Sequence, residues 1–110
     1  MNVPVGLVVA AWGGSDIESW LPGGDKYNGM LYPCHKYAAK GFLWYQGESN
    51  AHNKEAHEKL FKLLVDSWRS NWDEPDLPFY YVQLSSIDRP SWTWFRDSQR
   101  RLMKCVSNTG

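Results

Sequence analysis

The sequence has no formal net charge: its 110 residues hold 12 Lys and Arg against 12 Asp and Glu. That balance excludes the electrostatic footprint of a protein that grips nucleic acid or an anionic membrane surface. Charges of both signs are interspersed, so no segment reads as a solvated tail. Cysteine is scarce. Cys34 and Cys105 lie far apart and outside any CxxC pattern. A disulfide scaffold needs more cysteines and a zinc site needs clustered ligands, so the pair is expected to be two buried thiols rather than a bridge. No apolar run reaches the ~20 residues of a membrane span. The start, Met-Asn-Val-Pro-Val-Gly-Leu, lacks the basic region and full apolar stretch of an export signal. There is no HExxH and no Asp-x-x-His, and His52 and His57 are not four apart, as two ligands on one helix face would be. His35, His52 and His57 are therefore expected to be surface or capping residues rather than ligands or bases.

Aromatic residues, by contrast, are abundant: seven Trp, six Tyr and four Phe. Such rings suit a sugar-stacking surface and equally suit a packed core, which is the expectation for most of them. Val3 to Ala11 is apolar and rich in β-branched residues, the pattern of a strand covered on both faces. Two further apolar runs, Gly41 to Gln46 and Phe79 to Leu84, predict strands. Between them, Leu60, Leu64 and Trp68 recur at four-residue spacing, flanked by Phe61, Val65 and Trp72. That stripe predicts a helix from Lys54 to Asn71, with Asn53 as N-cap, early Glu55 and Glu58, and a late Arg69. Pro75 and Pro78 separate it from the following strand. Strand, helix and strand at this distance make a βαβ unit with parallel strands. A last helix is predicted from Ser91 or Trp92 to about Val106, burying Phe95, Leu102 and Val106.

The predicted strands end in WGGS, QGESN and QLSS, which places polar residues along the carboxyl edge of a parallel sheet, where ligands bind in open α/β folds. Gly13 and Gly14 either present bare backbone N–H groups, as an oxyanion requires, or simply turn the chain. Gln46 offers an uncharged side-chain N–H donor, and Glu48 a base or an acceptor that orients its neighbours. Ser49 is not set in the Gly-x-Ser-x-Gly of a nucleophile elbow and is expected to cap a helix entry. Trp92, Trp94 and Phe95 form either a sugar-stacking rim or a helix entry packed on the core. Arg96 and Gln99 either reach the site or solvate a helix face.

VPVGLVVAAWGGSDIESW, YNGMLYP, KGFLWYQGESNAHN, DSWRSNW, LPFYYVQL and WFRDSQ resemble, in order and over essentially the whole chain, consecutive blocks of the sialate O-acetylesterase family of SGNH (GDSL-like) hydrolases. The resemblance implies an α/β protein with a flavodoxin-like, three-layer α/β/α sandwich and a parallel sheet. It implies a serine esterase acting on acetylated carbohydrates, with neither metal nor organic cofactor, and with no nucleic-acid or membrane partner. Carried over by motif, the oxyanion donors are Gly13 (or Gly14) and Gln46 (or Asn50), Glu48 supports the loop, and Trp12, Trp92 and Arg96 line the substrate side. Residues 1–110 are expected to be one partial SGNH domain, without the family's Gly-Gln-Ser-Asn nucleophile block and Asp-x-x-His block, and inactive alone. Full-length relatives of this kind are often exported. The other expectation weighed was a non-catalytic carbohydrate-binding module with an aromatic rim.

Overall fold

Two of the three apolar runs become neighbouring strands. The structure is a computed structural model that describes residues 2–110. Strands β1 (Phe42–Trp44) and β2 (Phe79–Tyr81) pair in parallel, with Phe42 opposite Phe79 and Trp44 opposite Tyr81. Helix α1 (Lys54–Asn71) makes the crossover, over the span its apolar stripe predicts. Helix α2 (Trp92–Cys105) follows β2 and returns the chain to the sheet. There Phe79 N–H donates to Asn108 O (3.1 Å), Gly110 N–H to Phe79 O (3.2 Å) and Tyr81 N–H to Gly110 O (2.9 Å). The last three residues thus extend the sheet by one short parallel step beyond β2.

Because both crossovers run the same way across the sheet, both helices pack on one face. Side chains alternate along a strand, and Phe42, Trp44, Phe79 and Tyr81 point to that face. The rings of Phe61 and Trp68 from α1 meet Phe79 edge-on or tilted, 5.5 and 5.6 Å between centroids, and Leu102 and Val106 complete the same core. On α1 the buried positions Phe61, Leu64, Val65 and Trp68 follow helical spacing. The tryptophans also tie loops to this core through their indole N–H groups. Trp68 donates to Trp20 O (2.9 Å), Trp72 to Tyr37 O (2.8 Å) and Trp92 to Ser85 O (2.8 Å).

The opposite sheet face is bare. Leu43 is 81% exposed, and Tyr45, Tyr80 and Val82 beside it are exposed as well. Two layers are therefore seen among the described residues, a partial α/β fold.

Several expectations need correction. Val3–Ala11 forms no strand: Val3, Val5, Leu7, Val8 and Val9 are 60–84% exposed, and no ladder hydrogen bond reaches them. A strand is held by its neighbours, and the described residues supply none there; only Ala10 packs against the core. Asn53 makes no side-chain cap. The 3-10 helix Glu48–Asn53 leads straight into α1, so the chain arrives already coiled. The two cysteines are unpaired, but Cys34 is only half-buried and Cys105 is exposed on the last turn of α2. Both strands are shorter than their apolar runs. At Leu84 a side chain takes over from the ladder, its N–H donating to Gln99 Oε1 (2.9 Å).

Candidate functional site

At the carboxyl end of β1 the chain turns through Gln46 and Gly47 into the 3-10 helix Glu48–Asn53. The turn Trp12–Ser15 lies against it. Gln46 Nε2 donates to Ser15 O (3.2 Å) and to Asn50 Oδ1 (2.6 Å), joining the WGGS and QGESN motifs across more than thirty residues. Asn50 Oδ1 also accepts from Ile17 N–H (2.8 Å), and Asn50 Nδ2 donates to Glu18 Oε2 (2.9 Å). Gln46 is 7% exposed and Asn50 3%, so these bonds are made in a desolvated setting where polar groups must be paired. Gln46 Oε1 is the exception, buried and without a partner among the described residues.

The sequence-predicted residues fall into two groups. Gly13, Gly14, Gln46, Glu48 and Asn50 are brought together by these two turns. The N–H groups of Gly13 and Gly14 donate to no described residue, and a Cβ at either would meet nothing within 4 Å. Gly14 has φ +75°, the left-handed backbone that favours glycine, so the turn there is intrinsic to the residue. Glu48 is exposed and its carboxylate accepts from the Tyr45 phenol; that bond first, and the charge beside it, raise the Tyr45 pKa above its usual value. Trp12 is 61% exposed, with the Lys26 ammonium 4.0 Å from its ring centroid, an open aromatic surface beside the glycines.

The second group is not at this crevice's surface. Trp92 is 3% exposed and packs with Ala51, Leu84 and Phe95, so it is a core ring rather than part of a rim. Arg96 donates from Nε to Leu84 O (2.8 Å), and Gln99 is buried, accepting from Leu84 N–H. Both brace the chain just after β2 instead of solvating a face, and Gln99 Nε2 also donates to Gln46 O (3.5 Å), so Gln99 reaches the candidate site from its buried side. Glu18 and Ser15 are members of the hydrogen-bonded constellation that sequence reasoning did not assign there. Their contacts span 32 and 31 residues, and local spacing carries no sign of them.

Gly47 shows why glycine follows Gln46. A Cβ there would stand 2.5 Å from Phe95 Cε1 and 3.0 Å from Leu84 Cδ1. Gly47→Ala is expected to lower stability by about 1–3 kcal/mol, since the ring must move out of a packed cluster. Urea unfolding of the two proteins checks it; equal midpoints would contradict the close approach.

The serines offer no accessible nucleophile–base pair. Ser15 Oγ donates to Trp12 O (2.8 Å) and accepts from Trp20 Nε1 (2.9 Å), and Ser49 sits within the 3-10 helix. The hydrogen-bonded Ser–His pair among the described residues is His57 Nδ1 with Ser98 Oγ (2.9 Å), and both side chains are sealed in the core. His57 was expected at the surface. It lies instead against the Phe95 ring at 4.1 Å, where α1 meets α2. Burial lowers its pKa from 6.5 to about 4. A folded-state pKa below the unfolded value means the stability is complete above pH 6.5 and lost as pH falls toward about 4. Unfolding free energy is expected to drop by roughly 2 kcal/mol between pH 7 and pH 4.5 from this group. Denaturant titrations at the two pH values test this, and His57→Asn should flatten that part of the dependence.

Among the described residues no group of three His, Cys, Asp or Glu side chains is placed to hold a metal ion, and no helix is long and apolar enough to cross a membrane.

The described residues form a partial parallel α/β fold in which an amide-bearing turn at the carboxyl end of β1 is bonded to the glycine turn Trp12–Ser15. The chain belongs to the family of carbohydrate esterases described as sialic acid-specific acetylesterase, which it matches over residues 1–110. It is 29% identical over 119 aligned positions to the human sialate O-acetylesterase, covering 78% of this chain and 23% of that protein. With the mouse sialate O-acetylesterase it shares 37% identity over 68 positions, 54% of this chain and 13% of the relative. A solved carbohydrate acetylesterase from Xanthomonas citri superposes with a TM-score of 0.80 at 29% identity, over 92% of this chain and 28% of that one. The chain therefore spans less than a third of the length of each of these three proteins.

Proposed function

We propose that these residues form one wall of the acyl site of a carbohydrate O-acetylesterase, acting on acetylated sugars such as O-acetylated sialic acids by a serine-esterase mechanism. The observation that carries it is the bonding of the Gly13–Gly14 turn to the QGESN turn through Gln46, in a chain of the acetylesterase family. Attack of a serine on the acetyl carbonyl makes a tetrahedral oxyanion, and fixed N–H donors in a water-poor crevice lower its energy. Gly13 N–H is free to donate to it. Both Gln46 amide hydrogens already have acceptors, so Gln46 joins as a donor only by releasing Ser15 O, the longer bond at 3.2 Å. Asn50 Nδ2 keeps one hydrogen that no described residue accepts. Trp12 supplies an open ring for a sugar face, and Glu48 holds Tyr45 and the loop.

The nucleophile and its histidine are supplied by sequence other than residues 1–110, in the SGNH domain of which these residues are a part. No described serine combines exposure with a histidine partner. The 110-residue polypeptide is expected to hydrolyse p-nitrophenyl acetate no faster than a buffer blank. The same sequence within a family-length polypeptide is expected to release acetate from O-acetylated sialic acid. Stoichiometric acetylation of the 110-residue chain at Ser15 or Ser49 would overturn this division of labour. A carbohydrate-binding module without catalysis is less well supported, because burial of Trp92 removes a ring from its rim.

A further inference from the structure

An amide side chain has a donor end and an acceptor end, and its neighbours decide which way round it sits. Around Asn50 the choice is forced twice. Glu18, as a carboxylate, only accepts, so Asn50 must offer it Nδ2 (2.9 Å). The Ile17 N–H only donates, so it must meet Oδ1 (2.8 Å). Both constraints give the same orientation. With Oδ1 fixed, the atom of Gln46 that approaches at 2.6 Å must be Nε2, and the nearby Ser15 carbonyl demands the same. Gln46 Oε1 is thereby turned away from both turns, into a place where no described residue donates to it. Glu18 and Ile17 together fix Asn50, and Asn50 and Ser15 together fix the amide that holds the WGGS turn against QGESN.

We propose that Glu18 is a positioning residue: acting through Asn50, its carboxylate sets the amide of Gln46 and so the approach of the Gly13–Gly14 turn to the crevice. The value of this arrangement to catalysis rests on the acetylesterase assignment above, but the relay itself does not. Glu18 touches no reacting atom in it. Its charge matters because a carboxylate cannot be satisfied by the wrong end of Asn50, whereas a neutral acceptor such as an amide can present either end.

The test is ¹⁵N NMR of the 110-residue chain, following the side-chain NH₂ resonances of Gln46 and Asn50. In Glu18→Leu the Gln46 NH₂ protons are expected to exchange with water at least tenfold faster, and the shift difference between them to shrink. Backbone amides of Leu64 and Phe79, in the core, should change less than twofold. Glu18→Gln, whose amide can offer Asn50 either end, should restore only part of the Gln46 protection. Gln46 resonances unchanged in Glu18→Leu would overturn the relay, whatever the family-length polypeptide does with acetylated sugars. In that longer polypeptide Glu18→Leu should lower kcat about tenfold with KM within twofold. A Gln46 that responds in a family-length polypeptide that releases no acetate would support the relay and overturn the esterase assignment alone.

Discussion

Replacing Arg69 by Met is expected to lower the stability of the chain by about 3–5 kcal/mol, three charge-assisted hydrogen bonds lost against the relief of a buried charge. Arg69 is buried in the last turn of α1, and no salt bridge to it exists among the described residues. Its guanidinium is satisfied by carbonyls alone. Nε donates to Leu77 O (3.0 Å), and one Nη2 donates to both Ser107 O (2.7 Å) and Asn108 O (3.2 Å). The end of a helix is where its dipole favours a cation, which offsets part of the desolvation. One side chain thus holds the entry to β2 and the tail that adds to β2; without it the Leu77 and Ser107 carbonyls lose their donors, and Asn108 O keeps only Phe79 N–H. Arg69→Lys keeps the charge but replaces a planar fork with a point donor, and roughly half the loss is expected. Denaturant unfolding measures both, with amide exchange at Tyr81 and Gly110 reporting the tail. A loss under 1 kcal/mol for Arg69→Met would show that the tail is held by its ladder bonds alone.

Much of the architecture is legible in the sequence because it depends on local periodicity. The helical stripe through Leu60, Leu64 and Trp68 gave α1 its bounds, and the two apolar runs gave a parallel βαβ unit. The same kind of pattern misled at Val3–Ala11. A continuous apolar run states what a segment can bury, not whether a partner is there to bury it, and here those side chains meet solvent. His57 was misplaced for a related reason, and of the two readings of Trp92 the core-packed helix entry is the one found. A polar or amphipathic side chain enters a core when a single partner awaits it, Ser98 for one and the Ser85 carbonyl for the other.

At the candidate site, sequence reasoning reached the two turns by their strand-end position and glycine content. It did not reach the bonds between them. Glu18 lies in S-D-I-E with nothing in its surroundings to distinguish it from a solvated acid, and its meaning comes from Asn50, 32 residues on. Gln46 was expected to aim its N–H groups into a crevice as free donors. The folded chain spends both on Ser15 and Asn50, a consequence of which groups end up adjacent and not of residue type.

The central claim is that the backbone N–H of Gly13 stabilises the oxyanion of deacetylation. Two substitutions at this position separate the N–H from everything else. A Cβ at Gly13 meets nothing within 4 Å, and its φ is not in the left-handed region, so Gly13→Ala keeps the donor at little structural cost. Gly13→Pro removes the donor outright. Loss of one oxyanion-hole donor costs about 10²–10³ in kcat, or ~2.7–4 kcal/mol of transition-state energy. Because the bond is made in full only as charge develops, KM should change little. The deciding measurement is steady-state acetate release from O-acetylated sialic acid by a family-length polypeptide carrying each substitution, with unfolding midpoints to confirm that both fold. The expected result is near-parental kcat for Gly13→Ala and a loss of about 10²-fold or more for Gly13→Pro. Equal kcat in a folded Gly13→Pro protein would contradict the assignment.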